Sequence, residues 1–553
     1  MMRLRRLFLA VSSNGALLAT LCLTLSVVGY SQTEGQLRMP IPFGPFHIAG
    51  TVVNAKAGNL LSRCRVTLTD LKKSDVLSVI TGDNGRFEFH VPAGRYSLEG
   101  AKRGFVAALY DQHDQLSTAV IAAADVDTEN LVLRLAPNAV LAGKVLDEVG
   151  EPVRHAQITV YREDRSEGVS RINRIRSTAT DDQGRYEVTP LDAGTYFVSA
   201  RATPWYAVHP SSNSGAAPAQ VDSSLDVAYP ITFYGDATEA EDAAPIPVRA
   251  GDHLEVDLHL NTVPALHILL HTPQEGGGVT GLPTLQKPVF DTTEPAMIGS
   301  LRRVAPGTYE LNGIAGGRYS LRMADSSGQT KEPADVTFSG GGEVDLSSGR
   351  ATSKVKATVQ LAGWGSLPSQ LQIALRDGKG KKSQAELDAK GEADFSEVAP
   401  GKYDVLVVSP AQPFSVVRIA TDAGTISGHV LNVPPRAVLK ISLSLMGGSV
   451  TVEGKAKRAD KPAAGAMVVL VPKDADANPD CIRRDQSDLE GGFSLRNVVP
   501  GTYTIVAIEN GWDLDWAESA ALTGYLKHGE IINVGAHAQT SMRLADPVEV
   551  QTK

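Results

Sequence analysis

Flat aromatic side chains beside acidic groups can hold a sugar. An indole or phenol ring stacks on the apolar C–H face of a pyranose, and neighbouring carboxylates accept its hydroxyls. Three places in this chain offer that combination: Trp205 with Tyr206, then Tyr229 with Phe233 and Tyr234, and Trp512 with Trp516 in Gly511-Trp-Asp-Leu-Asp-Trp516. The seven are candidate ligand-binding residues; the alternative is that they cap the ends of the domains that carry them. Aromatic residues make up 6% of the chain. Their concentration between 205 and 249 therefore singles that stretch out as a binding surface.

Other chemistry leaves no mark. None of the 12 histidines opens a His-x-x-Glu or His-Glu-x-x-His zinc pattern. There is no Gly-x-Ser-x-Gly turn to expose a nucleophile, and no glycine-rich loop opens a helix to cradle phosphate. Asp474-Ala-Asp476-Ala-Asn478-Pro-Asp480 spaces oxygens like a calcium loop, but Pro479 stands where such a loop turns on glycine, so it reads as a polar loop. His253 and His259 alternate with Leu254, Val256 and Leu258, which puts both on a solvated strand face. The sequence predicts no catalytic residue, no cofactor and no metal.

The elements that must position the aromatics come from a repeated hairpin signal. Asp182-Gln-Gly-Arg-Tyr186 precedes Gly194-Thr-Tyr196, and Asp83-Asn-Gly-Arg-Phe87 precedes Gly94-Arg-Tyr96. Variants end at Tyr319, Tyr403 and Tyr503. Asp and Gly supply the turns, with Gly194 expected at positive φ and Asp83 and Asp182 bonding the backbone. The recurring tyrosines are expected in the cores, with their hydroxyls on backbone. Period-two runs such as Cys64–Leu68 and His155–Val160 read as half-buried strands, and no window reads as an amphipathic helix. Repeats of this kind predict an all-β fold of tandem Ig-like Greek-key β-sandwich domains.

The expected organisation is a signal peptide over 1–31 and a Pro-rich linker over 32–45. Sandwiches follow over 46–136, 137–263 with the aromatic insertion 205–249, 264–350, 351–440 and 441–545. Arg3, Arg5 and Arg6 precede the apolar run 17–28, so export with cleavage after Ser31 is expected; retention as an anchor is the alternative. No later run reaches membrane-spanning length. The formal net charge of −9 argues against nucleic acid as a partner. Of three cysteines, Cys64 and Cys481 are expected as buried apolar groups.

Three motifs coincide: Gly-x-Val (Gly50-Thr-Val52, Gly143-Lys-Val145), Pro-x-x-x-Ala-x-Val/Ile (Pro152 to Ile158, Pro462 to Val468), and the hairpin ending Gly-x-Tyr. Together they resemble the carboxypeptidase regulatory-like domain, a transthyretin-like sandwich also described as a carbohydrate-binding-like fold. The segment from Tyr229 to Gly251 resembles one in large exported bacterial proteins that carry such domains in tandem. The resemblance implies a non-enzymatic protein, secreted, periplasmic or held at the cell envelope, with a glycan or a cell-envelope protein as partner. A purely structural or protein-interaction array is the alternative reading, and a cryptic hydrolase a remote third.

Overall fold

Period-two alternation decides which faces meet. In Arg86–Val91, Phe87, Phe89 and Val91 are buried while Arg86, Glu88 and His90 face outward. Strands of this kind need a second apolar face, so they pair off as sandwiches. The computed structural model describes residues 40–553 apart from 166–167, 211–221, 272–281, 323–333, 346–351, 363–366, 369, 378–381, 410–413, 428, 448–449, 476–480, 536–540 and 553. Its sandwich cores, taken in chain order, centre on Val52 and Phe89, on Val145 and Val198, on Leu270 and Leu311, on Val359 and Val405, and on Val452 and Ile505. We refer to them as the first to fifth units.

One pairing recurs in all five. The opening strand of each unit runs antiparallel to the first strand of the expected hairpin and parallel to the closing strand. The second strand of that motif pairs elsewhere, so the expected hairpin is a crossing from one strand ladder to another and its two strands do not bond each other. In the first unit Phe46–Asn54 lies between Arg86–Val91 and Leu131–Leu135. In the second, Ala139–Leu146 pairs with Arg185–Leu191 and, in parallel, with His253–Glu255 and Leu258–His259. The parallel partners are Leu266–His271 with Gly342–Asp345 in the third unit and Ser353–Leu361 with Val438–Gly447 in the fourth. In the fifth, Val450–Arg458 takes Ser541–Arg543 and Val548–Gln551.

The hairpin tyrosines behave alike. Each donates its hydroxyl to the backbone carbonyl four residues upstream: Tyr96 to Pro92 at 3.0 Å, Tyr196 to Asp192 at 2.8 Å, Tyr319 to Ala315 at 2.7 Å, Tyr403 to Ala399 at 2.9 Å and Tyr503 to Val499 at 2.7 Å. This is a tyrosine corner: the ring fills the core and the phenol finds a partner. Burial pushes the Tyr319 phenol up to about 12.

Turn chemistry departs from expectation at two points. The carboxylate that accepts the turn N–H groups is Asp181, from Gln183 and Arg185 at 2.9 and 2.8 Å, not Asp182. Asn84 plays that part in the first unit, accepting from Arg86 at 3.1 Å. The glycine at positive φ in this motif is Gly184 (φ 69°), not Gly194. A Cβ on Gly184 would lie 2.7 Å from the Val145 carbonyl, whereas one on Gly194 would meet only the Arg162 side chain.

Several strands, Gln157–Asp164 and Met467–Pro472 among them, are buried on both faces, so their alternation is lost. Gln157–Asp164 buries Ile158 and Val160 in its own core and Thr159 and Tyr161 beyond it. Met467–Pro472 buries Val468 and Leu470 inward and Met467, Val469 and Val471 outward. Something must cover each outer face. On the fifth unit the cover includes the 8-residue helix Ser519–Leu526, which sequence periodicity did not reveal. Among the described residues no helix is long and apolar enough to cross a membrane. Cys64 and Cys481 are buried thiols outside any disulfide.

Candidate functional site

The insertion of the second unit is built as sheet. Thr232–Phe233 and Ile246–Val248 both pair with Gly194–Arg201, extending its sheet at the edge. Strands of two and three residues have no period to read, which is why the stretch looked irregular. The candidate aromatics of this insertion end in three different settings.

Trp205 projects into solvent at 83% exposure, edge-on to Tyr206 with ring centroids 5.7 Å apart. The Tyr206 hydroxyl donates to one Glu148 oxygen, and Tyr229, itself buried, donates to the other at 3.0 Å. That hydrogen bond pushes the Tyr206 phenol up; burial, then the bond to Glu148, raises Tyr229 further. Burial works to raise the Glu148 carboxyl, but the phenol hydrogen bonds and one from its own backbone outweigh it and hold it below the usual carboxylate range. Indole, phenol and carboxylate thus share one exposed corner.

Phe233 is fully buried. It packs with Tyr161, Phe197 and Ile231 against Val289 and Phe290 of the third unit. Phe290 meets Phe233 at 5.7 Å and 74° and Tyr161 at 5.2 Å and 66°, both edge-to-face. Tyr234 packs against the second unit's own core. Fully buried Glu294 of the third unit lies 3.1 Å from Arg201 of the second. Also between the second and third units, Asp226 contacts both His209 (3.0 Å) and His267 (2.6 Å). Neither Phe233 nor Tyr234 joins Trp205 in one surface.

Trp512 and Trp516 lie on the outer face of the fifth unit, where the first unit docks. Trp512 stacks on His113 of the first unit, centroids 4.6 Å apart and planes 9° off parallel. The Arg484 guanidinium lies 5.8 Å from the Trp512 ring and 4.6 Å from the Trp516 ring, and pairs with Asp114 at 2.9 Å. Gln486 donates to the Asp111 carbonyl at 2.6 Å and to Thr118 at 2.8 Å; Arg95 pairs with Asp488 at 3.0 Å. The second unit joins through Arg165 to Asp515 at 3.1 Å, with Gly168 against Trp516. It also touches the first unit through Asp252, 3.5 Å from Lys56. The first, second and fifth units therefore contact one another. A polar cleft of about 490 Å³ opens beside this contact, lined by Asp111, His113, Arg458, Lys461 and Glu509 among others.

The sequence marked the tryptophans but not His113, Arg484 or Gln486, whose partners lie some 370 positions away. It also missed a cluster the expectation of no metal passed over: His47, Glu88 and His90, brought together on adjacent strands of the first unit. Glu88-x-His90 was the available signal, since period two puts both on one face. The calcium-like loop lies largely outside the described residues.

Residues 47–134 and 140–261 each match the family model of the carboxypeptidase regulatory-like domain. No curated protein matches the chain. Among solved structures, similarity extends to the Bacillus anthracis TIE protein, at 12% identity over 72% of this chain and 73% of that one, with a TM-score of 0.17. A streptococcal ancillary pilin is 13% identical over 54% of this chain and 98% of its own, with a TM-score of 0.18. The minor pilin of Streptococcus agalactiae is 14% identical over 42% and 100%, at 0.21.

Proposed function

We propose that this chain, which carries carboxypeptidase regulatory-like domains in tandem, is a non-enzymatic exported scaffold of the cell envelope whose sandwiches are held in a set arrangement. One observation carries the reading. Three of the seven candidate aromatics, Phe233, Trp512 and Trp516, lie at contacts between units instead of facing a ligand. A protein that buries its large rings between domains favours rigidity between them. Small-angle scattering of the purified chain tests this. A compact particle that expands on Trp512→Ala supports the scaffold; a flexible string of sandwiches, unchanged by the substitution, sinks it.

A second reading keeps glycan binding, at the one corner where a ring remains open. Trp205, Tyr206 and Glu148 place an exposed indole beside an ionised carboxylate. A glycan array with wild type and Trp205→Ala decides it. Binding lost in the variant supports a lectin-like role; identical profiles remove it and leave the scaffold.

A further inference from the structure

We propose that His47, Glu88 and His90 form a binding site for a first-row divalent transition ion, with Zn2+ as the ion to test. His47 of Phe46–Asn54 stands directly opposite His90 of Arg86–Val91 in the antiparallel register. Directly opposed side chains on one face start about 5 Å apart at Cβ. Glu88 precedes His90 by two positions, so it shares the outward face that the buried Phe87 and Phe89 leave to it.

The ligand atoms converge. His47 Nε2 lies 2.9 Å and His90 Nε2 3.1 Å from the same Glu88 oxygen, and all three lie within 4.8 Å of one another. Zinc bonds of about 2.0–2.1 Å put the edges of a tetrahedron near about 3.3 Å. Two edges are already that short, and ring rotation closes the third. His47 Nε2 is shielded from water, yet its contact with Glu88 lacks the angle of a hydrogen bond. A metal ion between them would take up both groups.

The surroundings hold the rings. Glu129 lies 3.4 Å from His47 Nδ1, the outer carboxylate that turns Nε2 toward a metal. The two imidazoles stack at 4.9 Å, and Phe43 stacks on His90 at 5.3 Å. Two imidazoles and one carboxylate suit zinc, copper or nickel over magnesium or calcium. Three protein ligands leave a fourth position for water or a group from outside.

The test is zinc titration of the untagged chain by calorimetry at pH 7.5 and 5.5. We expect one equivalent that disappears in His47→Ala and in His90→Ala and weakens about tenfold or more in Glu129→Gln. Affinity should fall at pH 5.5, where protonated imidazoles cannot ligate. Substituted Co2+ should give visible bands that the same variants abolish. All four residues are partly exposed, so unchanged melting of the metal-free variants checks their folding. No zinc uptake, uptake equal in His90→Ala and wild type, or an equivalent lost instead in His267→Ala overturns the site and leaves two histidines clamped by a carboxylate.

Discussion

Aromatic rings close two junctions in this protein, and the two are built differently. Between the second and third units, Tyr161, Phe197, Phe233 and Phe290 interlock edge-to-face in an apolar cluster beside a buried carboxylate. Between the first and fifth, Trp512 is stacked between docking partners and flanked by an arginine, a glutamine and two ion pairs. The first pair are neighbours along the chain. A short tether keeps them at high effective concentration, so weakly directional apolar contact is enough. The second pair must find each other across some 370 residues. Directed hydrogen bonds and charge pairs supply the specificity that proximity does not.

The comparison can be broken at its apolar side first. Phe233→Ala removes a fully buried ring from the second–third junction and should cost about 3–5 kcal/mol, read as a lower melting transition of those units. If melting is unchanged, that cluster is not what joins them. Glu294→Ala leaves Arg201, 12% exposed at its side chain, without this partner, and should cost about 3 kcal/mol. A neutral result would mean that solvent reaches the arginine.

The polar junction should respond less in stability and more in shape. Gln486→Ala strands the Asp111 carbonyl and takes one donor from the Thr118 hydroxyl, which keeps its bond to the Asp111 carboxylate, at the cost of about 1–3 kcal/mol, and the radius of gyration should rise as the first and fifth units part. Unfolding of the fifth unit itself, with no expansion beforehand, would assign Gln486 to that unit's core instead.

The smallest effect is a pH dependence at the second–third side. Burial lowers His267, but its hydrogen bonds to Asp226 and Asn312 and the charges of Asp226 and Glu310 outweigh it and raise it above 6.5. His209 shares the same carboxylate. A histidine raised on folding binds its proton more tightly in the native state. Its contribution is complete below about pH 6.5 and is lost as pH rises through the raised value. Hydrogen exchange around Val227–Ala228 should therefore quicken between pH 6 and 8.5 more than intrinsic chemistry accounts for, and should lose that excess in His267→Ala.

Local signals in the chain reached far into the fold. The Gly-x-Tyr hairpins located five tyrosine corners because ring, phenol and acceptor lie within four residues. The same motifs misplaced the turn carboxylate by one position, Asp182 for Asp181, since an Asp-Asp-x-Gly turn admits two registers and only the backbone chooses; positive φ falls in that turn, at Gly184, and not in the next one, at Gly194. The site was less legible. Trp205 and Phe233 look alike in composition, but one is open and one is buried, because Phe290 from another unit decides it. His47 and His90 meet only through a strand register set by cores on the far side of the sheet.

The parallel pairing of opening and closing strands has a mechanical consequence. Tension along the chain enters each sandwich at the start of one strand and leaves at the end of its parallel partner. The pair is loaded in shear, so its ladder bonds must yield together. A hairpin such as Arg65–Asp70 with Val76–Ile80, pulled at its own ends, would peel one bond at a time. In the fourth unit the shear pair runs from Lys354 opposite Val438 to Leu361 opposite Leu445, the longest of the five. Single-molecule pulling should find the fourth unit the last to rupture, which for a protein anchored at one end and burdened at the other makes it a clamp against extension.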